Sequence, residues 1–499
     1  MSPSSLRRFA FALMVMTAPV SAAEPPAVAP PALTPGQALE DIQLSIEIVE
    51  AALPDLYWHQ SREAWAAARA EALARASQIT DPMQVYTEVA TLMGPIGEGH
   101  FDVLPSQGAV AWERQTASVL PLDLHWNTDG VFVLVGYGGA ADIPVGSRVL
   151  SINGDGDDTM LAELMRLSSH DGQITTLPMR DIGARYAIYR HRLHGNEASF
   201  ALRYTTPQGA TVARTVTATP LADRPREPVA EKAVARLEWL APGMAYLDVS
   251  TFSNRVYREA HTDFRSHIRR LFEEIERGRA TRLILDLRRN GGGSEPNESI
   301  LFSFLVAQPL HKYASVQTRG QHLKVTSRSG RVFEQDVFDE DEIHFQKVLP
   351  DGRLSRLNVP PEGLMSHWAP SVPVYRGRLV VLAGGATFSG GAELASMLHH
   401  VRRGVFVGEE VGGTHEGNTS GYNWRVELPN SGVRLKVPLL KFTFNWPGLP
   451  QGRGVPAQCD VPPSVMEIGV VRDRAWRVAR AVAEQSWRDP RQAQCPTVE

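Results

Sequence analysis

Two glycine-rich turns decide the fold of this 499-residue chain, and each follows a short apolar run. The first is LILDLRRNGGG, residues 283–293, and the second is VLAGGATFSGGAE, residues 381–393. Short runs of Val, Ile and Leu bounded by glycine are typical of buried strands, and helical patterns over 257–277 and 392–401 alternate with them. The alternation predicts an α/β unit with both turns at strand ends. Ligands bind at that edge of an open α/β sheet, so we expect the functional site there.

Ser389 lies in the second turn, at the start of a predicted helix. Taken alone it is best interpreted as an N-cap, with Glu393 in the first turn. The turn is not a Gly-x-Ser-x-Gly nucleophile elbow, because Thr387 stands at the first glycine, and residues 290–293 lack the Gly-Lys-Ser/Thr of a phosphate loop. The pairing of the two turns instead favours a nucleophilic serine beside backbone N–H groups.

The segment Asp-Leu-Arg-x-Asn-Gly-Gly-Gly from Asp286, followed further on by TFSGGAE at 387–393, resembles the C-terminal-processing (tail-specific) serine peptidase family. The strand-rich stretch 427–438 and the ending Gly-Val-Pro at 454–456 are similar to its closing strands. The resemblance implies an α/β fold with a crotonase-like catalytic core, preceded by a small helical region and a PDZ-like β unit. It also implies Ser389 as the nucleophile, a peptide or protein substrate, and no cofactor.

This family activates its serine in two ways, which the sequence distinguishes. One branch uses a lysine soon after the serine, but here the first lysine after Ser389 is Lys436, in a predicted strand much further on. The other branch, which includes tricorn and retinoid-binding-protein-like peptidases, takes a histidine from the turn closing the N-terminal helices. GEGHF at 97–101 matches that turn, so the resemblance implies His100 as the base. His415 is the competing candidate.

The resemblance also assigns the remaining catalytic groups. The oxyanion donors are the N–H groups of Gly292, with Gly291 as the alternative, and Gly390, each commonly worth about 3 kcal/mol of barrier. Gln451 stands where the histidine branch carries a glutamate that orients the histidine. Glutamine accepts a hydrogen bond but supplies no charge to an imidazolium, which leaves Glu393 and Glu416 as other candidates. The weak relay favours one alternative to the peptidase, a ligand-binding protein on the same fold. An esterase-type acyl hydrolase is a second alternative, because an acyl-enzyme mechanism does not by itself select amides.

Composition divides the chain into successive segments. We expect a signal peptide at 1–23, a Pro/Ala-rich linker at 24–35, an N-terminal helical region at 36–105, a PDZ-like domain at 115–222, a peptidase core at 235–475 and a C-terminal tail at 476–499. The apolar run 9–20 between an arginine pair and small residues is typical of a signal peptide. The protein should therefore be exported, periplasmic or secreted, without an integral membrane segment after cleavage. GSRVLSING at 146–154 resembles a turn and strand of PDZ domains, which bind peptide ends; the alternative is a generic β unit.

Charge and motifs exclude several classes of partner. The net charge of -4 leaves no basic excess that would favour nucleic acid. The histidines are scattered and form no His-Glu-x-x-His motif, so no metal site is predicted. Cys459 and Cys495 are the only cysteines of a chain expected in an oxidising compartment, which favours a disulfide over two unpaired thiols. The sequence makes no prediction of oligomeric state.

Overall fold

The computed structural model describes residues 28–224, 232–357, 365 and 367–498. The expected signal peptide and residues 24–27 of the expected linker lie outside these residues, as do residues 225–231 between the middle region and the core. Within the part that is described, no helix combines the length and the apolar character needed to cross a bilayer.

The N-terminal region is mostly helical. Its elements are α1 (Pro35–Ala52), α2 (Arg62–Arg75), α3 (Pro82–Met93), β1 (Asp102–Leu104) and α4 (Gln107–Thr116). Helix α1 starts at a capping box, in which the Thr34 hydroxyl accepts from the Gln37 N–H, and its apolar repeat buries Ile42 and Val49 completely. After α3 the chain turns at Gly97, whose φ of 73° is a backbone conformation that favours glycine, and so delivers residues 98–101 to the site.

The middle region is a five-stranded antiparallel sheet in the order β3-β4-β5-β6-β7, with three helices. Its elements are β2 (Ser118–Val119), β3 (Leu122–Asn127), β4 (Gly130–Gly136), β5 (Arg148–Ile152), α5 (Asp157–Arg166), α6 (Thr176–Asp181), α7 (Tyr186–His194), β6 (Ser199–Thr205), β7 (Thr211–Thr217) and β8 (Thr219–Pro220). Alternate residues of β6 enter its core, where they pack with Trp126 and Tyr186. The unit contains three helices, of which α6 and α7 are too short to give a clear helical repeat in the sequence.

The third region contains a six-stranded sheet in the order β23-β20-β19-β11-β10-β9. Its elements up to the second glycine turn are β9 (Arg236–Ala241), β10 (Met244–Asp248), α8 (Asn254–Glu259), α9 (Phe264–Arg277), β11 (Arg282–Asp286), α10 (Asn297–Leu305), β12 (Leu310–His311), β13 (Tyr313–Thr318), β14 (His322–Thr326), β15 (Val332–Asp336), β16 (Gln346–Val348), β17 (Leu354–Arg356), β18 (His367–Trp368) and β19 (Arg378–Ala383). Strands β10, β11 and β19 are parallel neighbours. The prediction that both glycine turns leave one edge of a sheet is therefore confirmed.

The remaining elements close this region and join it to the first. They are α11 (Gly390–His400), β20 (Val405–Gly408), β21 (Gly417–Glu427), β22 (Arg434–Phe444), β23 (Cys459–Asp460) and α12 (Arg474–Glu484). Strand β22 pairs with β21, β13 and also β1, so the N-terminal region contributes a strand to the second sheet of the core. This pairing brings residues 97–101, just before β1, next to the core.

Two segments differ from the sequence-based expectations. The single helix expected over 257–277 is two helices, because Asp263 accepts the Ser266 N–H and caps a new start at Phe264. The segment expected as a tail from 476 includes most of α12, whose Trp476 and Val482 are buried with the core sheet. A disulfide between Cys459 and Cys495, with the two Cα atoms 5.3 Å apart, also joins this segment to β23. The expected pairing of the cysteines is therefore confirmed.

Candidate active site

Ser389 has an unusual backbone conformation for a residue with a side chain. Its φ is 53° and its ψ is -129°, just before α11 begins at Gly390. Residues with a Cβ avoid this region unless their surroundings hold them in it, and such residues cluster at functional sites. The Ser389 side chain makes no hydrogen bond to the first turn of α11. Its hydroxyl is therefore not used as the helix cap that the sequence alone favoured.

The Asn290–Gly292 turn packs directly against the serine. Gly292 has a φ of 89°, and a Cβ at this position would lie 2.7 Å from Ser389 Cβ and 2.9 Å from its Oγ. The turn is fixed by fully buried Asn290, whose Nδ2 donates to the Val249 carbonyl at 2.9 Å and whose carbonyl accepts the Phe388 N–H at 3.0 Å. Gly292 is thus required because no side chain fits between this turn and the serine.

The amide groups near Ser389 differ in their availability. The Gly292 N–H, predicted to be an oxyanion donor, donates to Asn290 Oδ1 at 2.9 Å. The Gly390 and Gly291 N–H groups have no acceptor among the described residues. Gly390 and the alternative donor Gly291 are therefore free to bind an oxyanion, whereas Gly292 is occupied because Asn290 holds its amide.

His100 contacts Phe388, the residue that precedes Ser389. The imidazole stacks on the Phe388 ring with 4.6 Å between the ring centroids. Both ring nitrogens are buried, and neither has a hydrogen-bond partner in the described part of the chain. Burial, followed by the Lys436 charge, lowers the pKa of His100 to about 4. The fold thus brings a neutral imidazole to the residue preceding Ser389, with both nitrogens unengaged.

Asp171, from the middle region, holds the turn that carries His100. Its Oδ1 accepts the Gly99 N–H at 2.7 Å and its Oδ2 accepts the Thr414 N–H at 3.4 Å. The side chain is buried, and burial raises its pKa to about 7. No sequence motif identifies this residue, since nothing in the loop around it indicates a carboxylate that bridges two distant turns.

Gln451 is not brought to His100. Its Nε2 donates to the Trp58 carbonyl at 2.9 Å, and the residue is solvent-exposed. Both His100 nitrogens lack partners, so the predicted contact between the two side chains is not made in this structure. The Gln451 side chain instead links the closing segment to the N-terminal region.

His415 and Glu416 have local bonding partners. His415 Nδ1 lies 3.1 Å from the Arg453 carbonyl, and its Nε2 accepts the Leu449 N–H at 3.1 Å. Glu416 accepts the Gly452 N–H at 2.6 Å. Both ring nitrogens of His415 are therefore committed to holding the segment 449–453, and the competitor to His100 has no free nitrogen for Ser389.

A buried ion network supports the first turn of α11. Lys312, only 1% exposed, lies 2.7 Å from Glu298 and 3.5 Å from Glu295, and it also pairs with Glu393. These three carboxylates are close enough to share a cation, but the Lys312 ammonium already lies among them. A Cβ at Gly390 would be 3.7 Å from Glu298 Oε2. Glu393 is thereby bound into this network rather than to His100.

A cleft of about 620 Å³ opens in front of these groups and is called the substrate cleft below. Gly99 and Asp102 of the N-terminal region line one part of it, Arg180 of the middle region another, and Gly291 and Phe388 of the core a third. The cleft reaches both glycine turns at Gly291 and Phe388, so an extended chain bound there would lie against the free Gly291 amide and the residue that precedes Ser389.

Comparisons with known proteins agree with this architecture. Residues 243–461 match the family model of peptidase family S41, a range that includes both glycine turns but not His100. The crystal structure of mature CPAF is 16% identical, with a TM-score of 0.59 over 90% of this chain and 96% of that chain. Mature CPAF complexed with lactacystin is also 16% identical, with a TM-score of 0.57 over 90% and 98% of the two chains. None of the curated proteins matches this chain.

Proposed function

We propose that this chain, a serine-type peptidase whose residues 243–461 belong to peptidase family S41, cleaves peptide bonds through an acyl-enzyme on Ser389. The observation that carries the proposal is the conformation of Ser389, with a φ of 53° and no capping hydrogen bond, beside the free amides of Gly390 and Gly291. A hydroxyl kept out of its helix cap and next to unpaired donors suits nucleophilic attack followed by oxyanion stabilisation.

In the proposed mechanism His100 is the general base. It takes the Ser389 proton as the oxygen attacks the scissile carbonyl, and returns it to the leaving amine. The amides of Gly390 and Gly291 donate to the oxyanion, and water then releases the acyl group by the reverse sequence. Burial keeps the imidazole neutral at neutral pH, as a base must be. The contact between His100 and Ser389 is proposed to form when substrate fills the cleft, since catalytic hydrogen bonds commonly tighten in the substrate complex.

We further propose the types of the two domains, the class of substrate and the location of the protein. The core would be a crotonase-like domain and the middle region a PDZ-like module, whose antiparallel sheet offers an edge for strand addition by a peptide end. The substrates would then include protein C-terminal tails. The protein would be exported, because residues 1–23 carry the pattern of a signal peptide.

A fluorophosphonate probe tests the nucleophile and the base together. We expect labelling of the mature protein at Ser389, loss of labelling in Ser389→Ala and His100→Ala, and retention in His415→Gln, which keeps a hydrogen-bonding side chain. Well-folded protein that is never labelled would instead be a ligand-binding protein. Hydrolysis of esters without hydrolysis of matched peptides would make it an esterase, and labelling lost only in the His415 variant would make His415 the base.

A further inference from the structure

The substrate cleft carries more basic than acidic side chains, although the chain as a whole has a net charge of -4. Nearly all of these charges are neutralised by a partner. The pairs are Arg180 with Glu409 at 2.8 Å, Arg185 with Asp181 at 3.8 Å, Arg192 with Glu113 at 2.8 Å, Arg289 with Asp248 at 2.8 Å, and Asp102 with Lys436 at 2.7 Å. The wall therefore contributes little uncompensated charge through these residues.

Lys232 is the exception. It lines the same cleft, and within the described ranges it has neither a carboxylate partner nor a hydrogen bond. The Lys232 side chain is accessible to solvent from the cleft, and partial burial lowers its pKa with no carboxylate to offset the effect. The unbalanced positive charge of the cleft is thus concentrated on one ammonium group.

The position of Lys232 relates this charge to the chemistry. A Cβ at Gly291 would lie 3.5 Å from Lys232 Nζ, so the ammonium lies over the turn that offers a free oxyanion amide. A substrate whose carbonyl carbon is at Ser389 places its neighbouring residues along this turn. An ammonium on a flexible four-carbon stem can reach a carboxylate one or two residues away.

We propose that Lys232 makes this site selective for substrates that carry a carboxylate within one or two residues of the scissile bond. Both an acidic side chain and a chain-terminal carboxylate supply this group. The inference rests on the proposed function, since it assigns specificity to the same cleft. Lys232 acts here as a specificity-determining residue, because it contacts the substrate and not the reacting atoms.

Matched peptides test this selectivity. One series places Asp or Asn at each position flanking the scissile bond, and a second compares the free acid with the amide at the C-terminus, which separates the two sources of carboxylate. In wild type we expect kcat/KM to be about tenfold higher for the acid at one position, mainly through KM. Lys232→Met should bring that ratio close to one, because kcat/KM falls much more on the acidic peptide than on the neutral peptide, and Lys232→Glu should favour a Lys-containing peptide. Lys347→Met, an exposed lysine outside the cleft, should behave as wild type.

Salt gives a second readout, because a charge preference should shrink as ionic strength rises through the molar range. A preference that persists in Lys232→Met would overturn the inference. An equal loss of kcat/KM on acidic and neutral peptides would also overturn it, because it would mean that Lys232 stabilises the oxyanion. If the proposed function is wrong, the result is different, because the wild-type protein then shows no hydrolysis that depends on Ser389. In that case, binding of the same peptides to wild type and Lys232→Met still measures the preference.

Discussion

At the scale of single residues, Gly292 constrains the position of Ser389 through direct contact. Its Cα faces Ser389 so closely that even a methyl group would require a shift, and its φ of 89° disfavours any side chain. The neighbouring Gly291 is different, because a Cβ there would approach only the flexible end of Lys232. Alanine substitutions at Gly292 and Gly291 therefore make a matched pair of test variants.

We expect Gly292→Ala to lower kcat/KM by about 100-fold or more, because Ser389 and the free Gly291 amide of the turn would be displaced from each other. Gly291→Ala should retain most activity, since its backbone amide survives the change. The measurement is the rate of probe labelling and of peptide hydrolysis, with circular dichroism as the check on folding. Equal activity in the two variants would contradict the close contact at Gly292.

Lys312 provides the strongest stability prediction. Replacing it with methionine leaves three glutamates without their cation, and removing one partner of a buried ion network typically costs about 3–5 kcal/mol. The Lys324–Glu334 pair is exposed on both sides, so Lys324→Met should change the unfolding free energy by less than about 1 kcal/mol. Urea unfolding of both variants checks this difference. A Lys312→Met protein as stable as wild type would show that the glutamates take up protons without cost.

At the scale of elements, the site depends on loops that come from all three regions. Asp171 joins the turn of His100 to the loop after β20, and α11 presents Ser389 from the core. The position of the imidazole therefore depends on a carboxylate of the middle region, although His100 and Ser389 come from the other two regions.

Asp171 should make folding stability depend on pH. Burial raises its pKa from 3.8 to about 7, with Glu416 adding to the rise and the buried carboxyl of Glu98 close by. The native state therefore keeps a proton that the unfolded chain releases, so the unfolding free energy should fall as pH rises from about 4 to about 7. In Asp171→Asn this slope should be weaker, as measured by urea unfolding across that range. The control is Asp158→Asn, a substitution at an exposed position in the same region. If the unfolding free energy varied with pH equally in the Asp171→Asn and Asp158→Asn variants, the role of Asp171 would be refuted.

The sequence predicts those elements whose structure is determined by the local pattern of their own residues. The runs 283–285 and 379–383 are apolar throughout because both faces of these strands are buried, and both are parallel strands in the structure. The helix over 257–277 was predicted wrongly, because its apolar repeat continues through the local cap at Asp263. Asp171 and Phe388 matter through contacts across the fold, which a linear pattern does not record.

At the scale of the whole molecule, the C-terminal segment is fixed to the sheet that carries the site. The disulfide between Cys459 and Cys495 spans 36 residues and encloses α12. Constraining a loop of this length lowers the entropy of the unfolded chain, and such bonds are typically worth about 2–4 kcal/mol.

We expect a protein with both cysteines replaced by serine to lose about 2–4 kcal/mol of unfolding free energy, while Ser389 still reacts with the probe below the new transition. The disulfide lies on the far side of β20 from β19 and the glycine turns, which is the reason to expect activity to survive. Thermal unfolding with and without reductant provides the measurement. Loss of probe labelling in variant protein that remains folded would mean that the segment also shapes the site.

The separation of His100 and Ser389 along the chain has a consequence for biosynthesis. The turn with the imidazole leaves the ribosome long before the serine is translated, and β1, which follows it, finds its partner β22 only after the serine has emerged. During synthesis the chain therefore carries the proposed base without the proposed nucleophile, and then both groups before β1 has paired with β22. A peptidase that depends on both groups would therefore gain its activity only after β22 has been made.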